Sequence, residues 1–68
     1  MFMVLEDGID FLAFKSNLDE AQYVVEQEVL NNLGSDGTIH WEDWGAGKKA
    51  ISYDGDEKDQ VFVIRKTR

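Results

Sequence analysis

Apolar residues recur at two different periods along this chain, and the periods mark its elements. Phe2 to Glu6 and Ile9 to Phe14 read as strands on either side of Asp7-Gly8. An Asp-Gly pair between apolar runs signals a tight hairpin, because both turn positions need positive φ. A two-residue loop sets Glu6 opposite Ile9, Leu5 opposite Asp10 and Val4 opposite Phe11. One face of the hairpin then carries Phe2, Val4, Phe11 and Ala13, and the other Met3, Leu5, Leu12 and Phe14. An antiparallel sheet usually keeps one face for water. Here one face can cover a core, and the second needs a cover of its own or is a sticky patch.

The next segment changes period. Leu18, Ala21, Val25, Val29 and Leu33 fall on one stripe at about 100° per residue, which predicts a helix over 18–33. Asn17 can cap its first turn, with Glu20 three residues on completing a capping box. Gly34 ends it. Ser35-Asp36-Gly37 is a turn. Thr38 to Trp44 alternates as a strand, with Ile39 and Trp41 on one side and Thr38, His40 and Glu42 on the other. Gly45-Ala46-Gly47 is a loop and Lys49 to Tyr53 a short strand. Asp54 to Asp59 is a charged turn, and Val61 to Lys66 the last strand. Its run Val61-Phe62-Val63-Ile64 is apolar on both sides, which places it centrally in a sheet. The order is ββαβββ. This predicts an α+β two-layer sandwich, one helix packed on an antiparallel sheet, in a single domain spanning 1–68.

Composition narrows the class. The chain has 68 residues, no cysteine, no proline and one histidine. A chain this short buries only about 60% of its unfolded surface. It has no disulfide to staple it and lacks the Cys/His sets of zinc sites, so neither a metal nor a cofactor is expected. Its uninterrupted apolar runs, such as Phe11 to Phe14, fall far short of the roughly 20 residues of a membrane span. Met1 to Asp10 has no basic residue and does not read as a signal peptide. A cytoplasmic location is the expectation.

The formal net charge is −7, and it is uneven. Residues 1–15 carry −2, residues 16–47 carry −7 with no Lys or Arg at all, and residues 48–68 carry +2. An ordinary solvated helix mixes Glu with Lys at i,i+4, because like charges there repel. Asp19, Glu20, Glu26 and Glu28 have no such partners. Clustered phosphate-neutralising Lys and Arg are what nucleic-acid binding requires, so direct binding to nucleic acid is disfavoured.

Three segments superficially suggest chemistry. Gly45-Ala46-Gly47-Lys48-Lys49 lacks the spacing of a phosphate loop and is followed by a strand rather than a helix. Asp54-Gly55-Asp56-Glu57-Lys58-Asp59 puts Lys at the fifth position of a calcium loop and misplaces the glycine. Ser35, Asp36 and His40 come without a nucleophile elbow or oxyanion loop. Glu42 and Asp43 are adjacent on a strand and point to opposite faces, which is wrong for paired carboxylate catalysis. No enzyme is expected.

The reading that remains is a small acidic protein-binding module. Glu20, Glu26, Glu28, Asp36, Glu42 and Asp43 would face a basic surface on a protein partner, with Trp41 or Trp44 as the buried anchor. A basic surface is often a nucleic-acid site, so an inhibitor that imitates phosphate charge is the concrete form. Compact acidic chains of this sort occur among virus- and phage-encoded inhibitors of host proteins, a likeness of size and charge only. The alternative is a structural or regulatory subunit that homodimerises, or joins a complex, through an apolar sheet face carrying Met3, Leu5 and Leu12.

Overall fold

A computed structural model describes residues 1–67. It orders them as β1 (Phe2–Glu6), β2 (Asp10–Lys15), α1 (Leu18–Leu33), a short 3-10 turn (Gly34–Asp36), β3 (Gly37–Trp44), β4 (Gly47–Asp54) and β5 (Glu57–Lys66). The strands form one sheet in the order β2-β1-β5-β4-β3, and every neighbouring pair is antiparallel. The apolar strand β5 is central, as its sequence requires. The helix lies across one face only, so the α+β sandwich with order ββαβββ is the fold.

The helix begins as expected. Asn17 is extended, its Oδ1 accepts from the Glu20 N–H at 2.9 Å, and its Nδ2 donates to Glu20 Oε1 at 3.2 Å. Gly34 closes the helix at φ 66, where its N–H reaches the Leu30 carbonyl. Ala21, Val25 and Val29 are buried beneath α1. They meet Val4, Ala50, Phe62 and Ile64 of the sheet, with Phe2, Leu12, Leu18, Ile39 and Trp41 packed at the rim. Two strands run longer than their apolar residues suggest. The β4–β5 hairpin keeps its ladder to Asp54↔Glu57, because Gly55 at φ 62 lets the charged segment turn tightly.

The first hairpin differs from its expected register. Asp7 (φ 55) and Gly8 (φ 75) do form the tight turn, and the Ile9 N–H donates to the Glu6 carbonyl at 3.1 Å. The ladder then pairs Glu6 with Asp10 and Leu5 with Phe11, skips Leu12, and resumes at Val4↔Ala13, Met3↔Phe14 and Phe2↔Lys15. The extra residue is a β-bulge. The loop also holds three residues, Asp7 to Ile9, instead of two, and the two departures together exchange two side chains between faces: the third loop residue sends Leu12 under the helix and Phe11 to the far face, and the bulge keeps Phe14 there with Met3 and Leu5. The expected apolar set Met3, Leu5, Leu12 is therefore corrected to Met3, Leu5, Phe11, Phe14.

A second irregularity, between Ile51 and Tyr53, is bridged by a hydroxyl. Ser52 is fully buried. Its Oγ accepts from the Gln60 N–H at 3.0 Å and donates to the Gln60 carbonyl at 3.4 Å. The side chain thus replaces the backbone bonds that the break removes. Ser52→Ala leaves the Gln60 N–H without this partner, so it is expected to destabilise by about 1–2 kcal/mol. Urea unfolding would measure it, and an unchanged midpoint would show that water takes the place of the hydroxyl.

Candidate functional site

Antiparallel order decides where the charges meet. Strands β1 and β4 run toward one end of the sheet, and β2, β3 and β5 start from it. The helix, which starts just after β2 at the opposite end, also finishes there. Two connections are gathered at this end: the helix exit brings Asp36, and the β4–β5 turn brings Asp54, Asp56, Glu57 and Asp59. Lys58 is the one basic residue beside these five carboxylates among the described residues. The β1–β2 turn, with Glu6, Asp7 and Asp10, points the same way but is set back toward the middle of β5, since Glu6 is level with Phe62 and the Asp7 N–H donates to the Val61 carbonyl. Lys49, level with Val63 and Leu5, is one residue along the ladder from Glu6, and Lys15, Lys48, Arg65 and Lys66 lie toward the opposite end with Asp19, Glu20, Glu42 and Asp43. The molecule is polarised along its strands.

The acids on this side of the molecule are arranged against electrostatic ease in three ways. Glu6 is directly opposite Asp10 across the β1–β2 ladder, and Asp54 directly opposite Glu57 across β4–β5. Like charges at such positions destabilise a sheet. The helix also points its C-terminal, partially negative pole at this end, with no basic residue in its last turn. Among the described residues only Glu6 has a side-chain donor, Gln60 Nε2 at 2.6 Å, and Gln60 in turn accepts from Asn32 Nδ2 at 3.3 Å.

The residues singled out from sequence are dispersed. Asp36 belongs to the acidic end. Glu20 is engaged in the helix cap at the opposite end. Glu26 and Glu28 project about 200° apart around the helix axis, on opposite flanks. Glu42 lies on the sheet face away from the helix, paired across strands with Lys49, and is 3.4 Å from His40 Nε2. Asp43 lies on the helix side and accepts from Lys48 Nζ at 2.8 Å. That hydrogen bond, helped by the lysine's charge, holds the Asp43 carboxyl below its ordinary value. Trp41 packs at the rim of the core, while Trp44 is half exposed on the opposite face. Four acids of the acidic end lie outside the set expected from sequence: Asp54, Asp56, Glu57 and Asp59. Their signal is connectivity, because the helix exit and the β4–β5 turn both open onto this end.

The face away from the helix has no covering layer. Phe11 (55% exposed), Phe14 (51%) and Trp44 (49%) stand on it with Met3, Leu5, Ile51, Tyr53, Val61 and Val63. Phe11 and Phe14 pack ring to ring, their centroids 5.0 Å apart. Leu5 and Val63, though nothing lies above them, are largely shielded by such neighbours. Large exposed apolar patches of this kind mark interaction sites.

Two shallow concavities remain. One of about 330 Å³ lies at the β3–β4 turn, between Trp44 and Arg65 and Lys66. The other, about 480 Å³, is an open groove between Lys15 of β2 and Asp19, Tyr23 and Gln27 of α1. Neither gathers a nucleophile with a base. Among the described residues no helix is long and apolar enough to cross a membrane. Comparisons with protein-family models, curated proteins and solved structures find no match to this chain.

Proposed function

We propose that this chain is a non-catalytic protein-binding module, an inhibitor or regulator that docks its acidic end on a basic surface of another protein. One observation carries the reading. The Asp54–Glu57 cross-strand pair and the negative pole of the helix converge on one end, where, among the described residues, a single lysine stands beside five carboxylates. Each of these costs stability in the isolated protein, and each is relieved when a cationic surface arrives. Solubility alone needs no such concentration, since scattered charge serves it equally well. The turn Asp54-Gly55-Asp56-Glu57 extends past the β1–β2 turn at this end of the sheet, so its carboxylates reach a partner before the body of the molecule does. A basic surface that holds nucleic acid presents its cations to just such a set of anions, and the acidic end then acts as a mimic of phosphate charge. The field steers the encounter and sets orientation.

The test uses the immobilised full chain to capture its partner from the source cells at low salt, followed by affinity measurement with the purified partner. The triple variant Asp54→Lys/Asp56→Lys/Glu57→Lys is expected to lose at least about 100-fold in affinity, by analogy with other charge-steered interfaces. Glu20→Lys/Glu26→Lys/Glu28→Lys, which changes the net charge by the same amount, should lose far less. Competition by DNA or RNA should displace the chain from the partner. Equal losses in the two variants would mean that only overall charge matters, and no loss in either would end the proposal.

A further inference from the structure

We infer that the notch between Trp44 and Arg65 is a binding site for a nucleoside monophosphate, with the base stacked on the indole and the phosphate held by Arg65 and Lys66. The notch lies at the β3–β4 turn, at the end of the sheet opposite the β4–β5 turn. The nucleotide site and the docking of the acidic end therefore stand or fall separately.

The strand register builds the walls. Trp44 is opposite Gly47 across the β3–β4 ladder, and Lys48 is opposite Ile64 across β4–β5, which sets Arg65 level with Gly47. Arg65 follows the buried Ile64 and so stands on the uncovered face with Trp44. No side chain fills the space between them. None can, because a Cβ at position 47 would meet the Ile64 carbonyl oxygen. Two strand spacings set the backbones of the two walls about 10 Å apart. A flat ring slotted between the side chains then lies within about 5 Å of each, inside the range of aromatic stacking and of a cation over a ring face. Trp44 is half exposed, so the indole is open to such a ring. Gly45, Ala46 and Lys66 complete the lining of a concavity of about 330 Å³, the scale of a small-ligand site.

Charge selects an anion. The chain carries −7 overall, yet among the described residues no carboxylate lines this notch. The other groove, by contrast, has Asp19 and Glu20 in its lining beside Lys15. Among the described residues the ion pairs are Lys48 with Asp43 and His40 with Glu42, and neither engages Arg65 or Lys66. Two cations match the roughly two charges of a phosphate monoester, and a guanidinium presents paired donors to its oxygens. A bare anion would leave Trp44 without a role, and an uncharged ring would leave the cations without one. The base and phosphate of one nucleotide engage both. The β3–β4 turn does not act as a phosphate loop, because it leads into a strand, so the phosphate falls to the side chains of β5. A long single strand is the poorer fit, since the negative field of the rest of the molecule repels a polyanion.

Calorimetric titration of the intact chain with adenosine monophosphate tests the site. Saturation is expected with a Kd on the order of 0.1 mM, the scale of one stacked base and one bound phosphate. Tryptophan emission should be quenched in parallel, and Trp41→Phe, which leaves Trp44 as the sole reporter, should keep that response. Trp44→Ala should weaken binding about 10-fold or more, as loss of a stacking ring does. Arg65→Gln/Lys66→Gln should weaken it by about 10-fold or more, as loss of charged hydrogen bonds does. Phe14→Ala, which removes a ring of similar exposure on the same face, should bind like the parent. Far-UV circular dichroism of every variant at positions 44, 65 and 66 should match the parent, because all three side chains are exposed. Inorganic phosphate alone and adenosine alone should each bind at least about 10-fold more weakly than the monophosphate. Equal binding of either one overturns the inference, since an ion or a ring would then suffice. No saturation by about 10 mM monophosphate overturns it as well. So does tighter binding of a short oligodeoxyadenylate, which would assign the notch to single-stranded nucleic acid.

Discussion

Gly47→Ala is expected to leave little folded protein. Gly47 opens β4 where that strand meets β5, and its neighbour Lys48 pairs with Ile64. A Cβ at this position would run into the Ile64 carbonyl oxygen, and would lie 2.9 Å from the carbonyl carbon and 3.3 Å from Arg65 Cα. All three are backbone atoms, so no side-chain rotation relieves the clash. The strands must separate, and they are the pair that joins the polar half of the sheet to its apolar centre. Backbone clashes of this kind cost on the order of 3 kcal/mol or more. A domain of this size has roughly 3–10 kcal/mol in total. Urea unfolding followed by circular dichroism would show a midpoint near zero or no transition. Gly45→Ala is the control. Gly45 sits at φ 62 with nothing within 4 Å of a Cβ, so the strain is local, about 1 kcal/mol. A Gly47→Ala midpoint as high as that of Gly45→Ala would mean that β4 and β5 can part at little cost.

The fold was legible where local physics and period agree. The stripe Leu18, Ala21, Val25, Val29 and Leu33, the Asn17 cap and Gly34 fix the helix without reference to anything else. The apolar run 61–64 could sit only in the middle of a sheet, and β5 does. The register of the first hairpin was not legible. Asp7-Gly8 starts the turn, but its third residue, Ile9, and the residue skipped further on are decided by what packs beneath. Leu12 fills space under α1 that Phe11 would have had to enter, and no pattern within residues 9–15 reports that space.

The site was less legible than the fold, for a related reason. Charge added along the chain assigns the excess to residues 16–47, yet neighbours in sequence are not neighbours in an antiparallel sheet. Residues 48–68 look slightly basic as a block. The hairpin splits them, sending Lys48, Lys49, Arg65 and Lys66 to one end and Asp54, Asp56, Glu57 and Asp59 to the other. Asp36 joins the latter group only because α1 runs the length of the sheet before the chain turns into β3. Charge is additive in sequence, but its field depends on topology.

Phenylalanine at position 62 and phenylalanine at position 14 should respond to truncation in opposite ways. Phe62 is fully buried in the central strand, between the Val4 and Ala50 strands and beneath the helix residues Val25 and Val29. Phe62→Ala removes a ring that no neighbour can replace, because Ala21, Val25 and Ala50 are too small to close the void. The expected loss is about 3–5 kcal/mol, enough to unfold much of the population. Phe14→Ala removes a ring that is half in water and touches chiefly Phe11. Its expected loss in the isolated chain is about 1 kcal/mol or less, within the range of one aromatic pair. Both should be measured by chemical unfolding at high dilution, where association contributes nothing to apparent stability. If Phe14→Ala proves as damaging as Phe62→Ala at high dilution, the face away from the helix is part of the protein's own core, and Phe11 and Phe14 are held there for stability.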